Sequence, residues 1–248
     1  VRRVLVGVAI TVVAAVAMAA PASAQVVQKQ YQWHAVATKV PTLGATTIAT
    51  VGDSITAGVN STAALFEAGW RYVFVQDAVA AGKKPRMVGN QLDGDAGFNQ
   101  QACFGFPGAQ IDGLISSASP LFWQYGHPDI VIFANNGTNN ITNGDSAATT
   151  ASKLTTMLTA ARGAAPGALF VVTDMVPRND ALESVSVTYN GLIPSICSSL
   201  PPCLFVGMHS IVTGAQVQVG GVHPTDSGYT TMGHTLWSAV AAYANTWN

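Results

Sequence analysis

The chain has 248 residues, 49% of them apolar and only 9% charged, with 11 Lys and Arg against 12 Asp and Glu. A net charge of −1 offers no field of either sign to hold a nucleic acid or an acidic partner, and the apolar fraction is too high for long disorder. The length suits one full α/β or β domain, or two small ones, around a sizeable core.

The first feature in chain order is an export signal over residues 1–24. Arg2 and Arg3 form a short basic region, Val4 to Ala20 is a nearly unbroken apolar run, and Ala22-Ser23-Ala24 ahead of Gln25 is an A-x-A cleavage site. The alternative is a transmembrane anchor, but the run is only marginally long enough and its small-residue end has no positive stop. The expectation is a processed chain, residues 25–248, carrying nine basic against twelve acidic residues and acting in a secreted or periplasmic setting. No Cys adjoins the cleavage site, so no lipid anchor is expected, and Val1 fits a bacterial alternative start codon.

Residues 25–44 are polar and read as an irregular surface stretch. Thr46 to Val51 is a β-rich run, and Phe66, Trp70, Val73 and Phe74 recur at helical spacing. Pro85 to Val88 is a short strand. Asp129 to Phe133 and Ala168 to Thr173 are continuous apolar runs of the kind found in buried parallel strands. Ala151 to Ala164 reads as a helix with Leu154, Met157, Leu158 and Ala161 on one face. Tyr189 to Ile196 reads as another helix, and Leu204 to Val206 as a short strand. Tyr229, Met232, Leu236, Val240 and Tyr243 give a closing amphipathic helix. Strands alternating with helices predict an α/β domain in three layers, with any ligand at the carboxyl ends of the strands.

Export permits disulfides. Cys197 and Cys203 flank a short Ser-Ser-Leu-Pro-Pro loop that could close as a bridge, leaving Cys103 as a small buried residue. His34, His127, His209 and His234 form no H-x-x-x-H or H-E-x-x-H pattern, and the three cysteines form no C-x-x-C, so no metal site is expected. Lys83-Lys84 reads as a solvated helix end.

Chemistry first shows in Val51-Gly52-Asp53-Ser54-Ile55, directly after the first strand. A Ser at a strand end can present its hydroxyl and its own N–H to a substrate, but the hydroxyl needs a base within hydrogen-bond reach. Alone, the stretch reads equally as a strand-to-helix turn with Asp and Ser as caps. Three further blocks follow in order: Gly105-Phe106-Pro107-Gly108 with Ile111-Asp112, Gly137-Thr138-Asn139-Asn140, and His223-Pro224-Thr225-Asp226-Ser227-Gly228-Tyr229. Together with Gly52-Asp53-Ser54-Ile55, and with the minor features Gly69-Trp70-Arg71-Tyr72 and Val88-Gly89, they resemble the GDSL/SGNH hydrolase superfamily. The pattern is most similar to its secreted carbohydrate esterases, the branch that includes acetylxylan esterases.

That resemblance implies a three-layer α/β/α, flavodoxin-like fold on a five-stranded parallel sheet. It implies Ser54 as nucleophile and His223 as the base that takes its proton. The Ser54 N–H, the Gly108 N–H and the Asn139 amide would form the oxyanion hole. No cofactor is implied. The expected partner is a small or polysaccharide ester, met by a monomer, with no nucleic acid and no stable membrane insertion after signal cleavage. Loop residues Phe104, Phe106, Phe122 and Trp123 could instead line an apolar acyl groove, as a lipase or arylesterase needs, or simply pack.

Two carboxylates of the resemblance are missing. The acid of its Asp-x-x-His block would stand at position 220, which is Gly, and the Gly-x-Asn-Asp block ends in Asn140. The expectation is a Ser54–His223 dyad with a main-chain oxygen near residues 219–221 orienting the imidazole. Asp226, the nearest acid in sequence, is expected to cap the last helix, and Asp53 to be structural. A degenerate protein that binds acyl-sugars without turnover is the reading from a different class.

Overall fold

In the computed structural model the described residues are 46–114 and 128–243. The expected export signal, the stretch 25–44 with His34, and Phe122, Trp123 and His127 lie outside them.

The first strand, β1 (Thr46–Gly52), is buried at six of its seven positions, as its run of β-branched and apolar residues requires of a central strand. It leads into a single helical turn, α1 (Ser54–Ala57). A 3-10 turn over Ala63–Leu65 and α2 (Trp70–Ala80) follow. Three short strands come next, β2 (Pro85–Val88), β3 (Gln91–Leu92) and β4 (Ala102–Gly105). Then come β5 (Ile130–Phe133), α3 (Thr138–Thr142), α4 (Ala147–Ala164) and β6 (Leu169–Thr173). The chain continues through α5 (Glu183–Asn190), α6 (Ile193–Ser198), β7 (Cys203–Val206) and α7 (Asp226–Ala242).

The five expected strands form a parallel sheet in the order β2-β1-β5-β6-β7. Two strands escaped the sequence reading, so the sheet has seven rather than five. β4 takes over beside β1 where β2 ends, pairing Val51 with Phe104 and Gly52 with Gly105, and the two-residue β3 runs antiparallel to it. Strands of two and four residues carry too little periodicity to register in sequence. The carboxyl end of β1 is therefore flanked by β4 and β5, which bring the second and third motif blocks beside Ser54.

Alternation sorts the strand residues between two helical layers. Ile48, Ile130, Ile132, Leu169 and Val171 share a core with Trp70, Val73 and Phe74 of α2 and Met232, Leu236 and Val240 of α7. On the other face Phe133 packs edge-on against Phe170, and the Arg162 guanidinium of α4 lies 3.6 Å above the Phe170 ring. Each such buried apolar side chain contributes about 1.5–3 kcal/mol relative to exposure.

Two predicted helices differ. Phe66 is not in α2; it ends the 3-10 turn with a left-handed φ of 50°, and its spacing to Trp70 reflects packing of its ring on Tyr72 at 4.8 Å. The stretch from Tyr189 to Ile196 is two helices, separated at Gly191-Leu192, with Pro194 in the first turn of the second. Cys197 and Cys203 form a disulfide joining the end of α6 to the start of β7, and Cys103 is free and buried. Lys83 and Lys84 are exposed just beyond α2. No helix of the described residues is long and apolar enough to cross a membrane.

Candidate active site

Ser54 stands at the carboxyl end of β1, as the first residue of α1. Asp53 caps that turn, accepting the Ile55 N–H on Oδ1 at 2.9 Å. The cap fixes the Ser54 backbone, and the side chain meets His223: Oγ lies 2.8 Å from Nε2. Residues 169 positions apart are thus in hydrogen-bond contact, the geometry a nucleophile and its base require.

The other motif blocks close around this pair. The Phe106 N–H donates to Gly52 O at 2.9 Å, so the turn after β4 is tied to the end of β1. Within that turn Gly108 is exposed with φ of 81°, a conformation side-chain-bearing residues rarely adopt. A Cβ at Gly108 would meet nothing within 4 Å, so backbone conformation and not crowding by the protein requires glycine there. The Ser54 and Gly108 amide N–H groups have no partner among the described residues. Asn139, in the first turn of α3, lies half-buried beside them. Its amide donates to Ala109 O at 3.0 Å and, at a longer 3.3 Å, to Asp53 Oδ2.

Asp53 is almost fully buried. Burial pushes its carboxyl up to about 7, against the lowering effect of the Ile55 N–H and the Thr138 hydroxyl. It serves the capping turn and the Asn139 amide, the structural part expected of it.

Asn140 explains one missing carboxylate. Its Oδ1 accepts the Ile111 N–H at 2.9 Å, while its Nδ2 donates to Asp145 Oδ2 at 2.8 Å. The residue needs both an acceptor and a donor, and the carboxylate of this network comes from Asp145. The negative charge is matched by Lys153, 2.8 Å from both Asp112 and Asp145.

Among the described residues nothing replaces the second missing carboxylate. His223 lies in a narrow hairpin, paired across it by the Gln218 N–H donating to His223 O at 3.0 Å and closed by a bridge between Val217 and Pro224. Gly220 is at the tip, with φ of 67° in a turn closed by the Gly221 N–H on Gln218 O at 3.1 Å. A Cβ at Gly220 would point into open space. Among the described residues the imidazole has one hydrogen-bond partner, Ser54. No carboxylate accepts from Nδ1, and the expected main-chain oxygen of 219–221 does not either. Instead the turn aims carbonyls at Asn179, whose N–H donates to Gly221 O. Burial alone lowers the His223 pKa below the usual histidine value of 6.5, with no charged neighbour to raise it.

Asp226 is not the cap of α7. Thr225 is, accepting the Gly228 N–H, while Asp226 is the first helical residue and accepts from the Thr62 N–H at 2.9 Å and the Thr62 hydroxyl at 2.5 Å. Phe104 and Phe106 are buried, 0% and 6% exposed, the first on the inner strand β4 and the second in the turn tied to Gly52 O, so neither stands open as the wall of an acyl groove. His209 pairs with Glu183 at 2.7 Å and His234 with Asp77 at 2.6 Å, both away from any motif block. No group of three or more His, Cys, Asp or Glu among the described residues is arranged to hold a metal.

Sequence reasoning missed Arg178 and Asn179, which follow β6. Arg178 is 5% exposed; it donates to Thr138 O and the Thr142 hydroxyl of α3 and forms a two-pronged pair with Asp180. Asn179 holds the hairpin of His223. The signal that could have found them was Arg178-Asn179-Asp180 shortly after a buried strand, just past Pro177, in a chain with 11 basic residues in all.

A serine and a histidine in contact at the carboxyl ends of a parallel sheet, beside two unpartnered amide N–H groups and an Asn, have the arrangement of a hydrolase site. The profile of the GDSL-like lipase/acylhydrolase family matches residues 50–231. The chain belongs to that family and is a carboxylic ester hydrolase by class. Similar solved structures include a carbohydrate esterase family 3 protein from Talaromyces cellulolyticus, 22% identical with a TM-score of 0.68 over 80% of this chain and 97% of that one. A family 3 carbohydrate esterase of Clostridium thermocellum is 20% identical, with a TM-score of 0.68 over 80% and 96%. A G-D-S-L lipolytic protein of Veillonella parvula is 18% identical, with a TM-score of 0.61 over 79% and 99%. A comparison with curated proteins found no match.

Proposed function

We propose that the protein is a secreted or periplasmic serine esterase that removes small acyl groups, acetyl above all, from a carbohydrate. The observation that carries this reading is the 2.8 Å contact between Ser54 Oγ and His223 Nε2. His223 in its Nδ1–H tautomer takes the Ser54 proton as Oγ attacks the ester carbonyl. The Ser54 and Gly108 N–H groups receive the developing oxyanion, with the Asn139 amide beside them. Such donors act on charge that forms only in the transition state, each typically worth about 2.7–4 kcal/mol. The tetrahedral intermediate collapses, His223 returns the proton to the leaving sugar hydroxyl, and an acyl-Ser54 remains. Water, deprotonated by His223, then releases the acid. The protein acts as a monomer, without nucleic acid or membrane anchorage after processing, and no step calls on a cofactor.

The choice of a short acyl group is supported by the burial of Phe104 and Phe106, which removes two candidate groove walls. The choice of a carbohydrate is supported by the two similar structures named as carbohydrate esterases. Acetate release by the purified protein from acetylated xylan and from p-nitrophenyl acetate, beside Ser54→Ala, tests the reading. Release from both that vanishes in the variant is expected. Release from the aryl ester alone would refute the polysaccharide, and activity retained by Ser54→Ala would refute the nucleophile.

A further inference from the structure

Among the described residues His223 has no carboxylate or carbonyl on its other ring nitrogen, so its place on Ser54 depends on how the backbone that carries it is held. That backbone is fixed from one side chain. The two N–H groups of the Asn179 amide are shared among three main-chain oxygens, those of Gly214 in the preceding 3-10 turn and of Val217, both at 2.9 Å, and that of Gln218 at 3.0 Å. Its own N–H donates to Gly221 O at 2.9 Å. Val217 and Gln218 are the residues that pair with Pro224 and His223 across the hairpin. Each of the two strands of the hairpin is thus referred to Asn179, and His223 is one hydrogen bond away from it, through Gln218.

Asn179 is itself immobilised through Arg178. The Arg178 N–H donates to Glu183 Oε2 at 2.8 Å, and its guanidinium donates to Thr138 O at 3.2 Å and the Thr142 hydroxyl at 3.0 Å. Those two residues belong to the helix that presents Asn139. A third tie reaches the nucleophile side: Asn60 Nδ2, beyond α1, donates to Gln218 Oε1 at 3.0 Å. Arg178-Asn179, between β6 and α5, therefore joins the oxyanion side of the site to the base side through hydrogen bonds, those of Asn179 all to main chain.

We propose that Asn179 is a positioning residue of the reaction: by clamping residues 214–221, from the 3-10 turn through the tip of the hairpin, it holds the His223 imidazole on Ser54, the task an acid at position 220 would otherwise perform. The inference rests on the Ser54–His223 reading above. The clamp fixes where the ring sits; it places no negative charge beside it. It therefore supplies orientation, and leaves the imidazolium that forms in the transition state without a charged partner.

The test is Asn179→Ala in the purified protein, followed by the rate at which diethyl p-nitrophenyl phosphate phosphorylates Ser54 and by kcat and KM on p-nitrophenyl acetate across pH. A misplaced base costs rate steeply, so phosphorylation and kcat should fall about 10- to 100-fold with KM little changed. The acid limb of the kcat profile should also move up towards 6.5, because a loosened hairpin lets water reach a ring whose pKa is lowered by burial. Should Asn179→Ala fail to fold, Asn179→Gln keeps both donors and displaces them by one methylene; the same fall and the same shift are expected, more weakly. Undiminished rates, or a fall with an unmoved acid limb, in whichever variant folds, overturn the proposal. Ser54→Ala separates the two readings: its full loss of phosphorylation with Asn179→Ala unaffected would discard the clamp alone.

Discussion

Restoring the missing acid with Gly220→Asp should not restore a triad. Gly220 has φ of 67°, so any side chain there occupies the left-handed region, at a cost of about 1–2 kcal/mol that Asp bears better than most residues. For a chain of this size about 1 kcal/mol shifts Tm by roughly 2–4 °C. No atom lies within 4 Å of the new Cβ, so the carboxylate starts in solvent at the tip of the hairpin. Even at 4 Å two charges in water interact by only about 1 kcal/mol, and less further apart. That caps the effect at less than about one pH unit on His223. In a well-studied serine protease, disabling a buried acid hydrogen-bonded to the histidine lowers kcat about 10⁴-fold. The wild-type acid limb should lie below 6.5, since burial lowers the His223 pKa and only the neutral ring accepts the Ser54 proton. In Gly220→Asp it should rise slightly, because a nearby negative charge favours the protonated ring. Stopped-flow or steady-state kcat on p-nitrophenyl acetate between pH 4 and 8, with thermal melts, checks both. A gain in kcat above about 10-fold would mean that the hairpin readily swings its tip onto Nδ1, and the account of this site as a rigid dyad would be wrong.

Two further substitutions test the network around the pair. Asn140→Asp would set a carboxylate against Asp145 Oδ2, where the amide now donates at 2.8 Å, and should lower Tm above pH 6 while costing less near pH 4, where one carboxyl holds a proton; an equal loss at both pH values would argue against charge as the cause. The buried Asp53, with its pKa raised to about 7, favours the folded state at low pH and loses that advantage as pH rises from about 4 to 7. The Tm of Asp53→Asn relative to wild type should therefore improve from pH 4.5 to pH 8, and a flat difference would refute the raised value.

How much was legible in the sequence follows from where each residue's information lies. Val131 and Phe170 sit in continuous apolar runs, and a run of that kind on both faces specifies a buried parallel strand without help from elsewhere. Ser54, Gly108, Asn139 and His223 were legible as ordered blocks, and the fold delivers their elements to one end of the sheet. β4 was not, since Ala102-Cys103-Phe104-Gly105 becomes a strand only because β1 extends past the end of β2 and leaves its edge open. Phe104 could line a groove or fill a core on sequence grounds alone, and that strand decides for the core.

Asn179 was hidden in the sequence because it acts on main-chain atoms. A carboxylate on an imidazole leaves a side-chain signature at a fixed spacing, and its loss at Gly220 is visible at once. The Asn179 amide, donating to the carbonyls of Gly214, Val217 and Gln218, leaves none, because every residue has a carbonyl and only the turn decides which way it points. Arg178 differs: Asp180, Thr138 O and the Thr142 hydroxyl account for four of its five side-chain N–H donors, and only Thr138 O is main chain. Where an acid disappears from a motif, the compensation to look for is accordingly a side-chain amide facing the backbone that carries the histidine, in a segment that no motif marks.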